Sequence, residues 1–169
     1  MRMRIAPFQK IDRSTFYKLV EQAPDYVRDE WGEGWVVQQQ QGGTFQHVRI
    51  AGRIAVLCRA QVNQPSWTVG EASGVETATT IRYGNVAIEP ADTSPDSLAA
   101  TPPVFVVEIL SPASGARDLT LKPREYLPID TLQADMVADH ETATCAVWQR
   151  DLATGTFPAD RVVVGKGET

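Results

Sequence analysis

The chain has 169 residues, 43% of them hydrophobic and 22% charged, with a formal net charge of −5. That length fits one domain able to bury a core without disulfide or metal staples, expected over residues 1–169 with a tail at 1–10 and an exposed loop at 90–102. The acidic balance argues against a protein that coats nucleic acid non-specifically, and no apolar run is long enough for a membrane span.

MRMRIAPFQK lacks the apolar core of a secretory signal, so a cytoplasmic location and no membrane partner are expected. Asp12 and Ser14 offer caps for a helix over TFYKLVEQA, in which Phe16, Leu19 and Val20 keep helical spacing until Pro24. DEWGEGWVVQQQ, with Trp31 and Trp35 around Gly32 and Gly34, predicts strand, turn and strand. TFQHVRIAGRIAVLCRA predicts a helix burying His47, Ile50, Ala51, Ile54, Leu57 and Cys58, with Arg49 and Arg53 one turn apart and Arg59 beyond. Residues 61–66 read as a loop, 67–89 as two or three strands in a meander, and ADTSPDSLAATPP as an exposed loop. VFVVEIL predicts the central strand, SPASGARD a turn leading to Asp118 or Thr120 as a helix cap, and LKPREYL a short helix, because Pro123 suits only a first turn. The remainder, LQADMVADHETATCAVWQRDLATGTFPADRVVV, alternates as hairpins completing a sheet. The sum is a mixed α/β (α+β) domain.

Cys58 and Cys145 sit in apolar patterns and read as small buried thiols. With only His47 and His140, a nitrogen-and-sulfur metal site is poorly supplied, and a metal here would be a hard cation held by oxygen. The tryptophans Trp31, Trp35, Trp67 and Trp148 suit core or hairpin packing better than base stacking.

One residue breaks the pattern. Glu108 lies inside PPVFVVEILSP, and an ionised carboxylate in a core costs several kcal/mol unless it keeps its proton or meets a cation. An ion pair with Lys122 or an arginine that only fixes packing would suffice. Behind it DLTLKPREY places Lys122 and Tyr126 one turn apart, and ahead of it RYGNVAIEP carries Asn85.

EWGEG from Glu30 to Gly34, His47 opening the arginine-bearing helix, PPVFVVEILSPAS from Pro102 to Ser114, and DLTLKPREY from Asp118 to Tyr126 together resemble the small bacterial restriction-endonuclease-like family of the PD-(D/E)xK superfamily. The resemblance implies a restriction endonuclease-like fold, a central mixed sheet flanked by helices with extra hairpins. It implies Mg2+ (or Mn2+) held by Glu108 and the residue at 85, with Lys122 stabilising the phosphate or orienting the attacking water. It implies DNA as a substrate, with His47 contacting a phosphate or the metal site, Tyr126 beside the lysine, and Asp118 in support; Glu30 either supports the acidic site from the neighbouring hairpin or is a surface carboxylate. Arg49 and Arg53 either bind phosphates or form a solvated face.

The chain departs from the family pattern at two places. Leu110 occupies the usual lysine position, which passes that role to Lys122. Gly84-Asn85 stands where the family has Pro-Asp, removing one negative charge from any magnesium site. Glu89 shares a strand face with Asn85 but lies roughly 13 Å along the strand, too far to replace it. Two expectations follow: a magnesium-dependent DNA endonuclease impaired at Asn85, or a catalytically inactive nuclease fold acting as a binding or dimerisation module, a homodimer included.

Overall fold

The computed structural model describes residues 9–24, 28–37, 44–94, 97, 102–111, 115–139 and 141–167. His140, the end of the PPVFVVEILSPAS block, most of the expected tail and part of the 90–102 loop lie outside them.

Asp12 caps the first helix, α1 (Arg13–Glu21), by accepting the Thr15 N–H, and Phe16 and Leu19 turn inward as their spacing requires. Next come β1 (Glu30–Gly32) and β2 (Trp35–Val37), joined by Glu33 and Gly34, both at positive φ. Two positive φ values in a two-residue connection match the twist of the flanking strands. Thr44 caps α2 (Phe45–Gln61). Its buried line runs through Ala55 and Cys58 with Ala51 and Ile54 beside it. Leu57, expected in that line, is 66% exposed. It sits roughly 100° round the helix, and the covered stripe is narrower than the apolar periodicity suggests.

The segment expected to hold two or three strands holds four: β3 (Trp67–Glu71), β4 (Gly74–Glu76), β5 (Thr80–Tyr83) and β6 (Val86–Pro90). The chain leaves one sheet after β3, at Ala72 with positive φ, and returns to it at β6. Then follow β7 (Phe105–Ile109), α3 (Gly115–Tyr126), β8 (Ala134–Asp139), β9 (Thr144–Gln149) and β10 (Val162–Val164).

The larger sheet has the order β10-β9-β8-β7-β6-β3 and is mixed, since β7 and β8 run parallel and their other neighbours antiparallel. The smaller, β2-β1-β5-β4, is antiparallel throughout. Arg13 and Tyr17 of α1 both bond Glu76 of β4, and Phe16 packs with Trp31 and Ile81, so α1 covers the smaller sheet. Strand alternation divides the larger one. Val107 packs toward Ala55 and Cys58 of α2, while Val106 packs toward Tyr126 of α3. The central mixed sheet flanked by helices is therefore present.

Two local expectations need correction. Because α3 starts at Gly115, Asp118 lies in its first turn and neither it nor Thr120 is the cap. Pro123 sits deep in the helix, three residues before its end. Contacts of Leu119, Tyr126 and Leu127 with the sheet hold the helix across the missing N–H, and Leu127 N–H still bonds Pro123 O. Both cysteines are free, Cys58 buried and Cys145 half-buried. Trp31 and Trp148 are core residues, while Trp35 is exposed beneath Lys10.

Candidate active site

Glu108 comes from β7, one residue before its end, and points to the α3 side. Lys122 and Tyr126, one turn apart on α3, both reach its Oε1, Nζ at 2.9 Å and the hydroxyl at 3.1 Å. Two more acids surround the same ammonium: Asp118 Oδ1 at 3.3 Å, one turn earlier on α3, and Glu30 Oε1 at 3.5 Å, from β1 of the other sheet. Glu30 also faces Arg82 of β5 at 3.4 Å, and Arg82 grips Glu125 through two bonds of 2.7 Å. A fork on a carboxylate is the strongest geometry available to such a pair. Gly32 makes room for it, since a Cβ there would lie 2.9 Å from the Arg82 guanidinium. Glu30, Glu108, Lys122, Asp118 and Arg82 are all buried.

Four acids, Glu30, Glu108, Asp118 and Glu125, face two cations, so the ionised cluster carries two negative charges in excess. Burial works against the Lys122 ammonium, but Glu108, Glu30 and Asp118 outweigh it and hold its pKa above the ordinary lysine range. Burial pushes the Glu108 carboxyl up to about 7, with Lys122 opposing and Asp118 and Glu30 adding to the rise. The shared ammonium thus stays charged, and Glu108 is held well above the ordinary carboxylate range. Burial, then Glu108, raises Tyr126 well above its usual range, which keeps its hydroxyl a donor.

A fifth acid lies on the same face. Asp135 of β8 pairs with Val106, and Val137 pairs with Glu108, which makes Asp135 and Glu108 diagonal neighbours. Asp135 is fully buried and neither oxygen has a hydrogen-bond partner of normal geometry, with the Met136 N–H only weakly opposing the shift. Burial first, then Glu108, pushes it up to about 8, so it holds its proton at neutral pH.

Asn85 adjoins this cluster, since a Cβ on Gly84 would lie 3.8 Å from Glu108 Oε1, but its side chain is bonded elsewhere. Its N–H donates to Val107 O at 2.9 Å, its Oδ1 accepts the Ile109 N–H at 2.7 Å, and its Nδ2 lies 2.9 Å from His47 Nε2. A backbone N–H can only donate, so Oδ1 must face it and Nδ2 must donate to His47, whose Nε2 there presents its lone pair. Arg49 and Arg53 are exposed on α2, across the sheet from Lys122. Glu89, opposite Thr68, points along β3 toward Gly70.

These donors do not fit a bound magnesium. One of the two Glu108 oxygens, Oε1, is engaged by both Lys122 and Tyr126, and the Asn85 oxygen is neutral and already accepts a bond. The described residues contain no group of three or more His, Cys, Asp or Glu arranged to hold a metal. What the arrangement does provide is a buried, charge-dense nest in which one ammonium is shared by three acids.

The structure brings Glu108, Lys122, Tyr126, Asp118 and Glu30 together, joins Asn85 to His47, and leaves Arg49 and Arg53 outside. Sequence reasoning missed Arg82, Glu125 and Asp135. The signal for Arg82 and Asp135 was the one that exposed Glu108, a charge inside an apolar strand, in TIRY and ADMVAD.

A mixed sheet between α2 and α3, with a strand acid meeting a helix lysine, defines a restriction endonuclease-like protein. Residues 13–166 match Uma2, a family described as "Putative restriction endonuclease", and the chain belongs to it. Among solved structures it is similar to a "putative nuclease belonging to DUF820" from Anabaena variabilis, with a TM-score of 0.68 and 14% identity over 88% of this chain and 83% of that one. At that identity the likeness carries the fold. No curated protein matches the chain. No helix among the described residues is long and apolar enough to cross a membrane.

Proposed function

We propose that this chain is a restriction endonuclease-like protein in which phosphodiester hydrolysis is suppressed at position 85 and which acts by binding, with DNA or a second copy as partner. The observation that carries this reading is the state of Asn85: where the resemblance implies an anionic ligand beside Glu108, a neutral amide spends its oxygen on the Ile109 N–H and its nitrogen on His47. The cation among the carboxylates is the Lys122 ammonium. A second reading, a weak magnesium-dependent DNA endonuclease, is favoured by the match of residues 13–166 to a family described as "Putative restriction endonuclease".

Incubating supercoiled plasmid with wild type and Asn85→Asp, in magnesium or manganese, separates the two. Suppression at position 85 expects no nicking by wild type and metal-dependent nicking by Asn85→Asp, lost again in Asn85→Asp/Glu108→Ala. Nicking by wild type that Glu108→Ala abolishes would establish the second reading. If Asn85→Asp neither nicks nor binds manganese by calorimetry, position 85 is not where activity was lost and the first reading fails.

A further inference from the structure

The larger sheet ends in two edge strands, β3 and β10, and they are finished differently. At β3, Arg59 of α2 reaches the Val69 carbonyl at 3.4 Å and pairs with Glu71 at 3.0 Å, so a side chain already occupies that edge. At β10 the backbone is left outward. The Arg150 N–H bonds Gln133 O, which fixes the alternation along β9: Thr144, Ala146 and Trp148 turn their backbone groups to β8, and Cys145 and Val147 turn theirs to β10. Val162 and Val164, opposite Val147 and Cys145, are therefore bonded inward, and Val163 directs its N–H and C=O out of the sheet. Val162 and Val163 are 61% and 54% exposed.

An edge that avoids its own copies carries charges that repel them. The flanks of β10 do the reverse. Asp160 and Lys166 lie three residues to either side of Val163, both exposed and opposite in sign, and neither is paired with another described residue. Turned end for end about Val163, the segment DRVVVGK sets Asp160 against Lys166, Arg161 against Gly165 and Val162 against Val164. We propose that β10 is the edge on which two copies of this chain associate, antiparallel about a two-fold axis at Val163. Each Val163 N–H then donates to the partner's Val163 C=O, and the six-stranded sheets of the two copies run on into each other. Arg161, whose guanidinium lies 5.9 Å from the centre of the Trp148 ring, faces the partner's Gly165, where no side chain competes for space. Asp160 and Lys166 lie just beyond the strand ends, and the flexible lysine stem spans the remaining distance.

Charge selects the occupant. A foreign peptide strand could use the main-chain groups of Val163, but an acid and a base at equal distances on either side of one residue complement the same segment reversed. Phosphates would be repelled by Asp160 and gain nothing from the valines. The two rim ion pairs add little affinity in water and instead fix register and direction. The contact involves few residues, so the dimer belongs to the weak, exchanging class of interfaces. This names the partner within the binding reading above and rests on that reading. Two strands, β9 and β8, separate β10 from the strand that carries Glu108, so its test does not depend on position 85.

Sedimentation velocity of the full chain, across a concentration series up to several hundred micromolar, tests this. Wild type is expected to shift from monomer to dimer with concentration. Asp160→Lys alone and Lys166→Asp alone place like charges opposite each other, and each is expected to weaken association about tenfold. An equimolar mixture of the two variants should recover it, because both acid–base pairs re-form across the axis. Val163→Pro removes the outward N–H while Val162 and Val164 stay bonded to β9, so it is expected to remain monomeric with unchanged circular dichroism. Val163→Lys, which imposes no backbone angle, should behave the same way. Val163→Cys should give a disulfide-linked dimer under mild oxidation beyond that of wild type, while Thr68→Cys on β3 should not. A wild type monomeric at every concentration, a dimer that survives both Val163→Pro and Val163→Lys, or a mixture that associates no better than its components each overturns the proposal, the last in favour of another face.

Discussion

The two faces of the larger sheet solve different problems. On the α3 side, Val106 and Glu108 meet a layer of buried charge in which every ion depends on a neighbour. On the α2 side, Val107 meets Ala55 and Cys58 in a cluster of apolar side chains. Removing one member of the first face strands its partners in a medium that cannot solvate them, while removing one member of the second costs only its own contacts. The contrast makes the charged face brittle and the apolar face tolerant.

Breaking the ammonium's role should have the largest effect. Lys122→Met leaves Glu108, Glu30 and Asp118 without their shared cation and is expected to cost about 3–5 kcal/mol in urea unfolding. Lys122→Met/Glu108→Gln should recover part of that loss, because one stranded charge is gone; an unimproved double variant would mean that packing, not charge, held the face together.

Asp135 gives a pH test of the same face. Its folded pKa of about 8 lies above the unfolded value near 3.8, so between those values the folded state binds the extra proton. Stability from this group is full below about pH 4, declines as pH rises to about 8, and is level above that. Asp135→Asn is expected to flatten the decline and raise stability above neutral pH, by an amount on the order of a few kcal/mol at most. Chemical denaturation at pH 5 and pH 9 measures it, and an unchanged difference between the two would place the proton elsewhere.

The smallest expected effect belongs to the other face. Gly52→Ala should stabilise the monomer by up to about 1 kcal/mol, read as a raised thermal midpoint, since the new methyl meets nothing and the helix gains propensity.

Much of the charged face was legible in the sequence. A glutamate inside PPVFVVEILSP is conspicuous because apolar strands rarely carry one, and Lys122 and Tyr126 at one-turn spacing must share a helix side wherever that helix packs. Arg82 and Glu125 were not legible, because Glu125 reads as an ordinary surface acid in KPREY until tertiary structure brings TIRY beside it. Two sheets in place of one were hidden for a related reason: strand propensity says that 80–83 is extended but not which neighbour it pairs with. Leu57 was misread because helical period fixes direction and not the width of surface a sheet will cover, and Pro123 because local preference yields to packing.

Glu30 and Arg82 enter the cluster from the smaller sheet, whereas Glu108, Lys122, Asp118 and Glu125 belong to β7 and α3. Glu30 and Arg82 are themselves 52 positions apart along the chain. Such distant pairings cannot close until both segments have been made and brought together, so the nest cannot form while the chain is incomplete. A partly synthesised chain emerging from the ribosome therefore holds these ions in water, and the desolvation that makes them interdependent sets in only when the C-terminal half docks.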